Sequence, residues 1–287
     1  MTIASPTHAV NMPAYVDHSH LTVYDLPMMS GWYQKALGLS PMESSASGET
    51  LGVSGRPLLT LTTDSTARKA PRNAPGLFHT AFLMPDRKEL GHWLAHVAQN
   101  NIALTGASDH LVSEAIYLDD PEGNGIEVYR DRPREDWKMQ SDGMVKMATL
   151  GLDLQKLYDE SSKEPWGGAA DGTTIGHIHL QVSDIPEADD FFQNVLGLDV
   201  MARYPGATFF ASGKYHHHVG ANVWNSRNQP KRSADMTGLA DYTVRFNDKA
   251  KMQTALAKLD ELQVATTRSG ETVSLIDPWG IGLKLSA

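Results

Sequence analysis

Along this chain, apolar residues alternate with polar ones in short runs, and each run is followed by a stretch whose apolar positions return at helical spacing. Residues 18–23 and 177–182 alternate, which predicts strands carrying His18 and His20, or His177 and His179, on one face. A helix follows each. Asp25 and Asp184 stand where an N-cap accepts from free amides, and Trp32-Tyr33 and Phe191-Phe192 supply a buried stripe. Leu-Gly-Leu then closes the helix, with Gly38 or Gly197 as the C-terminal cap. Further strands are predicted at residues 58–62 in the first unit and at 207–211 and 217–224 in the other. Residues 78–83, 86–100, 115–118 and 125–129 repeat the series strand, helix, strand, strand, with Leu90, Leu94 and Val97 on the buried face of the helix. Residues 242–246, 248–262, 272–276 and 281–285 follow the same order, and Asp120-Pro121-Glu122-Gly123 and Asp277-Pro278-Trp279-Gly280 are matching turns.

The chain therefore repeats itself. Displaced so that His18 meets His177, it also lays His20, Leu21, Val23, Asp25, Leu37, Gly38 and Leu39 on His179, Leu180, Val182, Asp184, Leu196, Gly197 and Leu198, more coincidences than unrelated segments share. Four βαβββ modules result, at about residues 14–66, 76–132, 174–228 and 238–287. The reading is an α+β chain in two halves of two modules each, residues 1–132 and 174–287. Residues 133–173 join them. Their Gly-rich Trp166-Gly167-Gly168 stretch suits a linker or a lid, and a packed surface excursion is the plainer alternative.

Composition narrows the chemistry. Of the 287 residues 41% are hydrophobic and 21% charged, enough to core two domains. Lys and Arg number 25 against 34 Asp and Glu, and the net charge of −9 comes with no basic run, which argues against a nucleic-acid partner. No apolar stretch approaches the roughly 20 residues that cross a bilayer, and the N-terminal segment lacks the basic start and apolar middle of a secretory signal. A cytoplasmic chain without a membrane partner is expected. Cysteine is absent, which removes disulfides, thiolate nucleophiles, iron–sulfur clusters and sulfur-ligated zinc together. Twelve histidines and the carboxylates remain, a ligand set suited to Fe(II), Mn(II) or Zn(II).

The densest constellation is His110-x5-Ile116-Tyr117-x2-Asp120-Pro121-x-Gly123-x3-Glu127. Tyr117 ends one strand, the turn reverses the chain, and Glu127 returns on the neighbouring strand, so both side chains can reach one concavity. A carboxylate between Ile126 and Val128 is costly to bury without a cation and costs nothing on an exposed edge. The motif resembles the signature of the type I extradiol ring-cleavage dioxygenases, members of the vicinal-oxygen-chelate superfamily. Its one minor departure is Ser108, where that family usually has Gly or a few other residues. With residues 106–115 and the run Tyr215-His216-His217-His218, the chain as a whole resembles the bacterial catechol-2,3-dioxygenase group across all four modules.

That resemblance implies modules pairing into two cupped mixed β-sheets flanked by helices. It also implies an Fe(II) centre, or Mn(II) as the alternative, held by His79 and Glu127 of the second module and one histidine of a partner module. His79 precedes Asp86 by the interval at which His18 precedes Asp25 and His177 precedes Asp184. Pairing modules one and two would supply His18, whereas pairing two and three would supply His177. The stretch from Phe210 to His217-His218 resembles the Phe…His-His strand that partners the Glu-bearing module in these enzymes, which favours His177.

By the same resemblance, Tyr117 corresponds to the tyrosine that hydrogen-bonds a chelated substrate oxygen, and His110 to the histidine that assists catalysis nearby. The implied reaction inserts O2 beside the hydroxyls of a catechol-type aromatic diol. Hydroquinone-type ring cleavage, a glyoxalase-like metal-dependent isomerase or lyase, and a non-catalytic small-molecule-binding protein are the alternatives on this scaffold. A homo-oligomer is expected. In the fourth module Asp241 (or Tyr242) and Lys284 stand at the positions of His79 and Glu127, and an ammonium there would repel a divalent ion, so one site per chain is expected. His92 and His96 are expected to face solvent, and strand alternation would turn His217 away from His216 and His218.

Overall fold

In the computed structural model, which describes residues 8–162 and 164–287, one structural series occurs four times. The first module comprises β1 (Ala14–Val23), α1 (Leu26–Leu37), β2 (Ser40–Ser44), β3 (Gly48–Val53) and β4 (Arg56–Thr63). The second comprises β5 (Gly76–Leu83), α2 (Arg87–Gln99), β6 (Gly106–Asp109), β7 (Ser113–Asp119) and β8 (Gly125–Asp131). A short helix, α3 (Leu154–Asp159), lies in the connection. The third module has β9 (Thr174–Gln181), α4 (Ile185–Asp189) continued by a π-helical stretch (Asp190–Val195), β10 (Asp199–Tyr204), β11 (Ala207–Ala211) and β12 (Val219–Asn222). The fourth has β13 (Gly238–Phe246), α5 (Lys249–Glu261), β14 (Thr267–Ser269), β15 (Thr272–Ile276) and β16 (Gly282–Ser286).

All four module helices start on an aspartate for the same reason. The carboxylates of Asp25, Asp86, Asp184 and Asp248 accept from the amides of Met28, Glu89, Glu187 and Ala250, which the first turn leaves without helical partners. The two matching turns also share a geometry. Asp120 Oδ1 accepts from the amides of Glu122 and Asn124, and Asp277 Oδ1 from those of Trp279 and Ile281.

Two eight-stranded mixed sheets result, in the orders β14-β15-β16-β13-β1-β4-β3-β2 and β10-β11-β12-β9-β5-β8-β7-β6. Modules one and four thus share one sheet and modules two and three the other, each joined at its centre by an antiparallel pair, β1 with β13 and β5 with β9. The sheets meet at these central strands, where the Ser19 and Thr80 hydroxyls lie 3.2 Å apart in the interior. Every residue of β9 is buried. Strands β2 and β14 run at the sheet edges with every residue exposed, which is why no apolar alternation marks them in the sequence. Among the described residues, no helix is long and apolar enough to cross a membrane.

The repeated helix caps distinguish chain geometry from packing. Gly38 and Gly197 both adopt the left-handed conformation, with φ of 66° and 69°. A Cβ on Gly38 would come within 2.4 Å of the Ala169 amide nitrogen and 2.5 Å of the Trp166 ring, whereas one on Gly197 would meet nothing within 4 Å. Gly197→Ala should therefore cost only the left-handed backbone penalty, about 1 kcal/mol, and Gly38→Ala about 3 kcal/mol because the connection must also move. Urea unfolding of the two variants checks this, and equal losses would contradict it.

Candidate metal centre and its pocket

Four neighbouring strands each supply one polar group to the same interior space: His177 from β9, His79 from β5, Glu127 from β8 and Tyr117 from β7. Ala81 stands opposite both His177 and Glu127, and Glu127 stands opposite Tyr117. The β5–β9 ladder shifts register between Leu77 and His79, an irregularity of the kind that re-aims side chains at sites. His79 Nε2 lies 3.0 Å from Glu127 Oε2, His177 Nε2 lies 3.2 Å from the same oxygen, and the two nitrogens are 3.3 Å apart. All three residues are buried, and they are the one group among the described residues arranged to hold a metal ion.

The donor set fits a divalent cation. Metal–ligand bonds of about 2.1 Å separate adjacent donors by roughly 3.0 Å on an octahedron and roughly 3.4 Å on a tetrahedron, which brackets the observed spacing. Burial opposes ionisation of Glu127, but the charges and hydrogen bonds of His177 and His79 outweigh it and hold the carboxyl well below its usual range. Burial lowers His177 to about 4 against the pull of Glu127. An anionic carboxylate beside a neutral imidazole is the protonation state that ligation requires.

His110 stands between β6 and β7, preceding Leu111, whose φ is +68°. Its Nδ1 donates to the Ala148 carbonyl at 2.7 Å, which assigns the proton to that nitrogen and leaves Nε2 to accept from the Tyr117 hydroxyl at 2.7 Å. Burial first, then the Glu127 charge, raises the Tyr117 pKa well above its ordinary value, so the phenol keeps its proton.

The histidine triplet precedes β12 instead of lying on a strand, so the alternation expected of it does not apply. His216 Nε2 donates to Asp131 at 2.8 Å, and its Nδ1 accepts from His217 Nδ1 at 2.7 Å. Tyr215 also donates to Asp131, and Tyr129 lies 2.9 Å from Tyr215. His218 instead donates to the Ala9 carbonyl at 3.2 Å. The His217 ring packs 4.0 Å from His177, centroid to centroid, and burial holds its pKa well below the usual value. His179 takes 3.0 Å contact from Asn222 Nδ2 and sits over Gly220, where a Cβ would approach its ring to 2.9 Å. The sequence left His179 and His217 without roles and did not single out Asp131. Strand alternation puts Asp131 on the Glu127 face of β8, a signal that was available.

These groups border a cavity of about 430 Å³ whose walls include Phe78, Phe209, Met147 and Trp224. Met147 and Thr149 come from the 133–173 connection, which also supplies the Ala148 carbonyl and pairs Leu150 with Asp109. The same connection covers His92 and His96. Their Nε2 atoms bond the Glu164 and Lys35 carbonyls, and His96 stacks on Trp166, so neither faces solvent freely as expected.

In the other sheet the corresponding positions have become self-satisfied. Lys284 Nζ and His20 Nδ1 each lie 2.8 Å from Asp241, His20 Nε2 bonds Thr62, and His18 bonds Thr60. Lys284 supplies the positive charge there, and His18 lies apart from the His79, Glu127 and His177 group.

A family model described as the Glyoxalase/Bleomycin resistance protein/Dioxygenase superfamily matches residues 15–128 and 174–281. A catechol-2,3-dioxygenase of Bacillus subtilis (strain 168) is 40% identical over 240 residues, covering 82% of this chain and 84% of that protein. The fold is similar to that of a putative dioxygenase from Bacillus subtilis subsp. subtilis str. 168, at 13% identity and a TM-score of 0.66, covering 94% of this chain and 84% of the other. It is also similar to glyoxalase I from Zea mays, at 13% identity and a TM-score of 0.57, covering 96% and 93%.

Glu127→Gln should lower affinity for Fe(II) or Mn(II) at least about 100-fold, measured anaerobically by calorimetry and metal analysis; Asp241→Asn should leave it unchanged. Metal retained at the original affinity by Glu127→Gln would contradict the site. A pH effect on the metal-free protein follows from burial, which lowers His18 and His177 to about 4 and His218 to about 3. The unfolded chain takes up these protons near pH 6.5. Each group thus contributes stability that is complete above about pH 6.5 and is lost as pH falls through the folded values. The urea midpoint should hold from pH 7.5 to about 6.5 and then drop steadily to pH 4.5, and a midpoint that stays flat or rises below pH 6.5 would refute the burial argument.

Proposed function

Because this chain belongs to the Glyoxalase/Bleomycin resistance protein/Dioxygenase superfamily, we propose that it is an extradiol dioxygenase that uses Fe(II), held by His79, Glu127 and His177, to join O2 to a catechol-type diol. One observation carries the reading: a buried group of two histidines and one carboxylate stands beside the Tyr117–His110 pair at the wall of an apolar cavity. The name of the 40% identical relative supports the same chemistry. A bound iron would supply a Lewis acid for both diol oxygens and a redox partner for O2.

The remaining work belongs to the chain's own groups. Tyr117 lines the cavity as a protonated phenol hydrogen-bonded to His110 Nε2, so a proton leaving the substrate hydroxyl at the Tyr117 oxygen has a ready path to that nitrogen. The Ala148 carbonyl keeps the His110 proton on Nδ1 and so keeps Nε2 available. His217 is held similarly from behind: Asp131 accepts from His216 Nε2–H, His216 Nδ1 accepts from His217 Nδ1–H, and His217 Nε2 remains the acceptor for the pocket. Two bases thus border one space, each with its tautomer set by a partner outside that space. The apolar walls limit water around them.

Protein loaded with Fe(II) under nitrogen and then given catechol and oxygen should consume oxygen and form a yellow ring-fission product. Tyr117→Phe and His110→Ala should keep the metal and lose about 100-fold in kcat. No oxygen uptake with any aromatic diol from iron-loaded protein would sink the proposal, and isomerisation of a glutathione hemithioacetal in its place would identify a glyoxalase-type enzyme.

A further inference from the structure

The cavity's walls differ sharply in what they offer a substituent on a bound ring. Phe78 meets Trp224 edge to face at 5.3 Å and His179 at 4.9 Å, while Phe209 packs likewise against Tyr204 at 5.8 Å and His217 at 4.9 Å. Trp224 is 49% exposed, a large apolar surface left open on a wall of the cavity. Polar wall groups away from the candidate metal centre are chiefly the hydroxyls of Thr105, Ser108, Thr149 and Tyr204. Among the described residues that line the cavity there is no Lys or Arg, and the lining charges are the carboxylates Asp119 and Glu127. The cations of neighbouring strands are engaged elsewhere, Arg130 and Arg132 on Glu114 and Arg203 on Asp189.

Size and charge then select the guest. A cavity of about 150 Å³ accommodates a benzene ring, and this one, at about 430 Å³, has room for a second ring beside the first. A carboxylate on the ring substituent would lose its hydration with no lining Lys or Arg to receive it, and the Asp119 carboxylate at the wall would repel it. Resting on the ring-cleavage reading above, we infer that the substrate is an uncharged catechol bearing an apolar substituent about the size of a second ring, and that carboxylated catechols are rejected. Phe78, Phe209 and Trp224 take the substituent, and the absence of a lining cation provides the rejection.

Calorimetry on iron-loaded protein under nitrogen tests this with three probes: catechol, 2,3-dihydroxybiphenyl and 3,4-dihydroxybenzoate. The phenyl-substituted diol should bind at least about tenfold tighter than catechol and the carboxylated one at least about tenfold weaker. On metal-free protein 2-phenylphenol should bind detectably and salicylate should not, a readout independent of turnover. Trp224→Ala should remove most of the phenyl advantage, and Thr149→Arg, at an exposed wall position, should raise affinity for 3,4-dihydroxybenzoate at least about fivefold. Equal binding of the three diols, or a preference for the carboxylated one, overturns the inference while leaving ring cleavage standing. Failure of every diol to bind or to be cleaved overturns both.

Discussion

Two imidazole nitrogens and one carboxylate oxygen, held 3.0 to 3.3 Å apart in the interior at the wall of the cavity, set the terms for the rest of this molecule. Such groups repel or compete for protons unless a cation lies among them, so burying them together is costly and needs a rigid frame. The frame is the antiparallel pairing of β5 with β9, extended by β8 and β7. Each strand contributes one group, and the spacing of the ladder converts sequence positions far apart into neighbours. Packing around β9, buried along its whole length, holds that arrangement in place.

Duplication separates scaffold from chemistry. Both sheets are built on the same series and the same capped helices, yet among the described residues only one gathers a metal-ready group. In the other, Lys284 places a covalently tethered positive charge against Asp241, and His20 completes its hydrogen bonding with Asp241 and Thr62. A tethered ammonium neutralises this half-buried carboxylate as a metal ion would, which leaves little electrostatic demand for one.

A histidine works as a base only when the correct nitrogen is free, and here that choice is made outside the pocket. Ala148, from the connection between the halves, fixes His110. Asp131, through His216, fixes His217. The connection is thus part of the pocket's wall, through Met147 and Thr149, and sets the His110 tautomer through the Ala148 carbonyl.

The four-module plan was legible because strand alternation, aspartate N-caps and the Gly38 and Gly197 endings are local features, imposed by backbone hydrogen bonding on residues a few positions apart. The motif from His110 to Glu127 was legible for the same reason, since one turn joins its two strands. Polar edge strands such as β2 and β14 were not, because solvent on both faces removes the pattern burial would impose. The histidine triplet read as a strand because its period is invisible when all three residues are alike. Local pattern alone also could not choose between His18 and His177: both begin the same motif, and their difference lies in which module each meets. That meeting, β5 beside β9 and β1 beside β13, was decided by tertiary packing, because sheet order depends on which surfaces exclude water together across the whole chain.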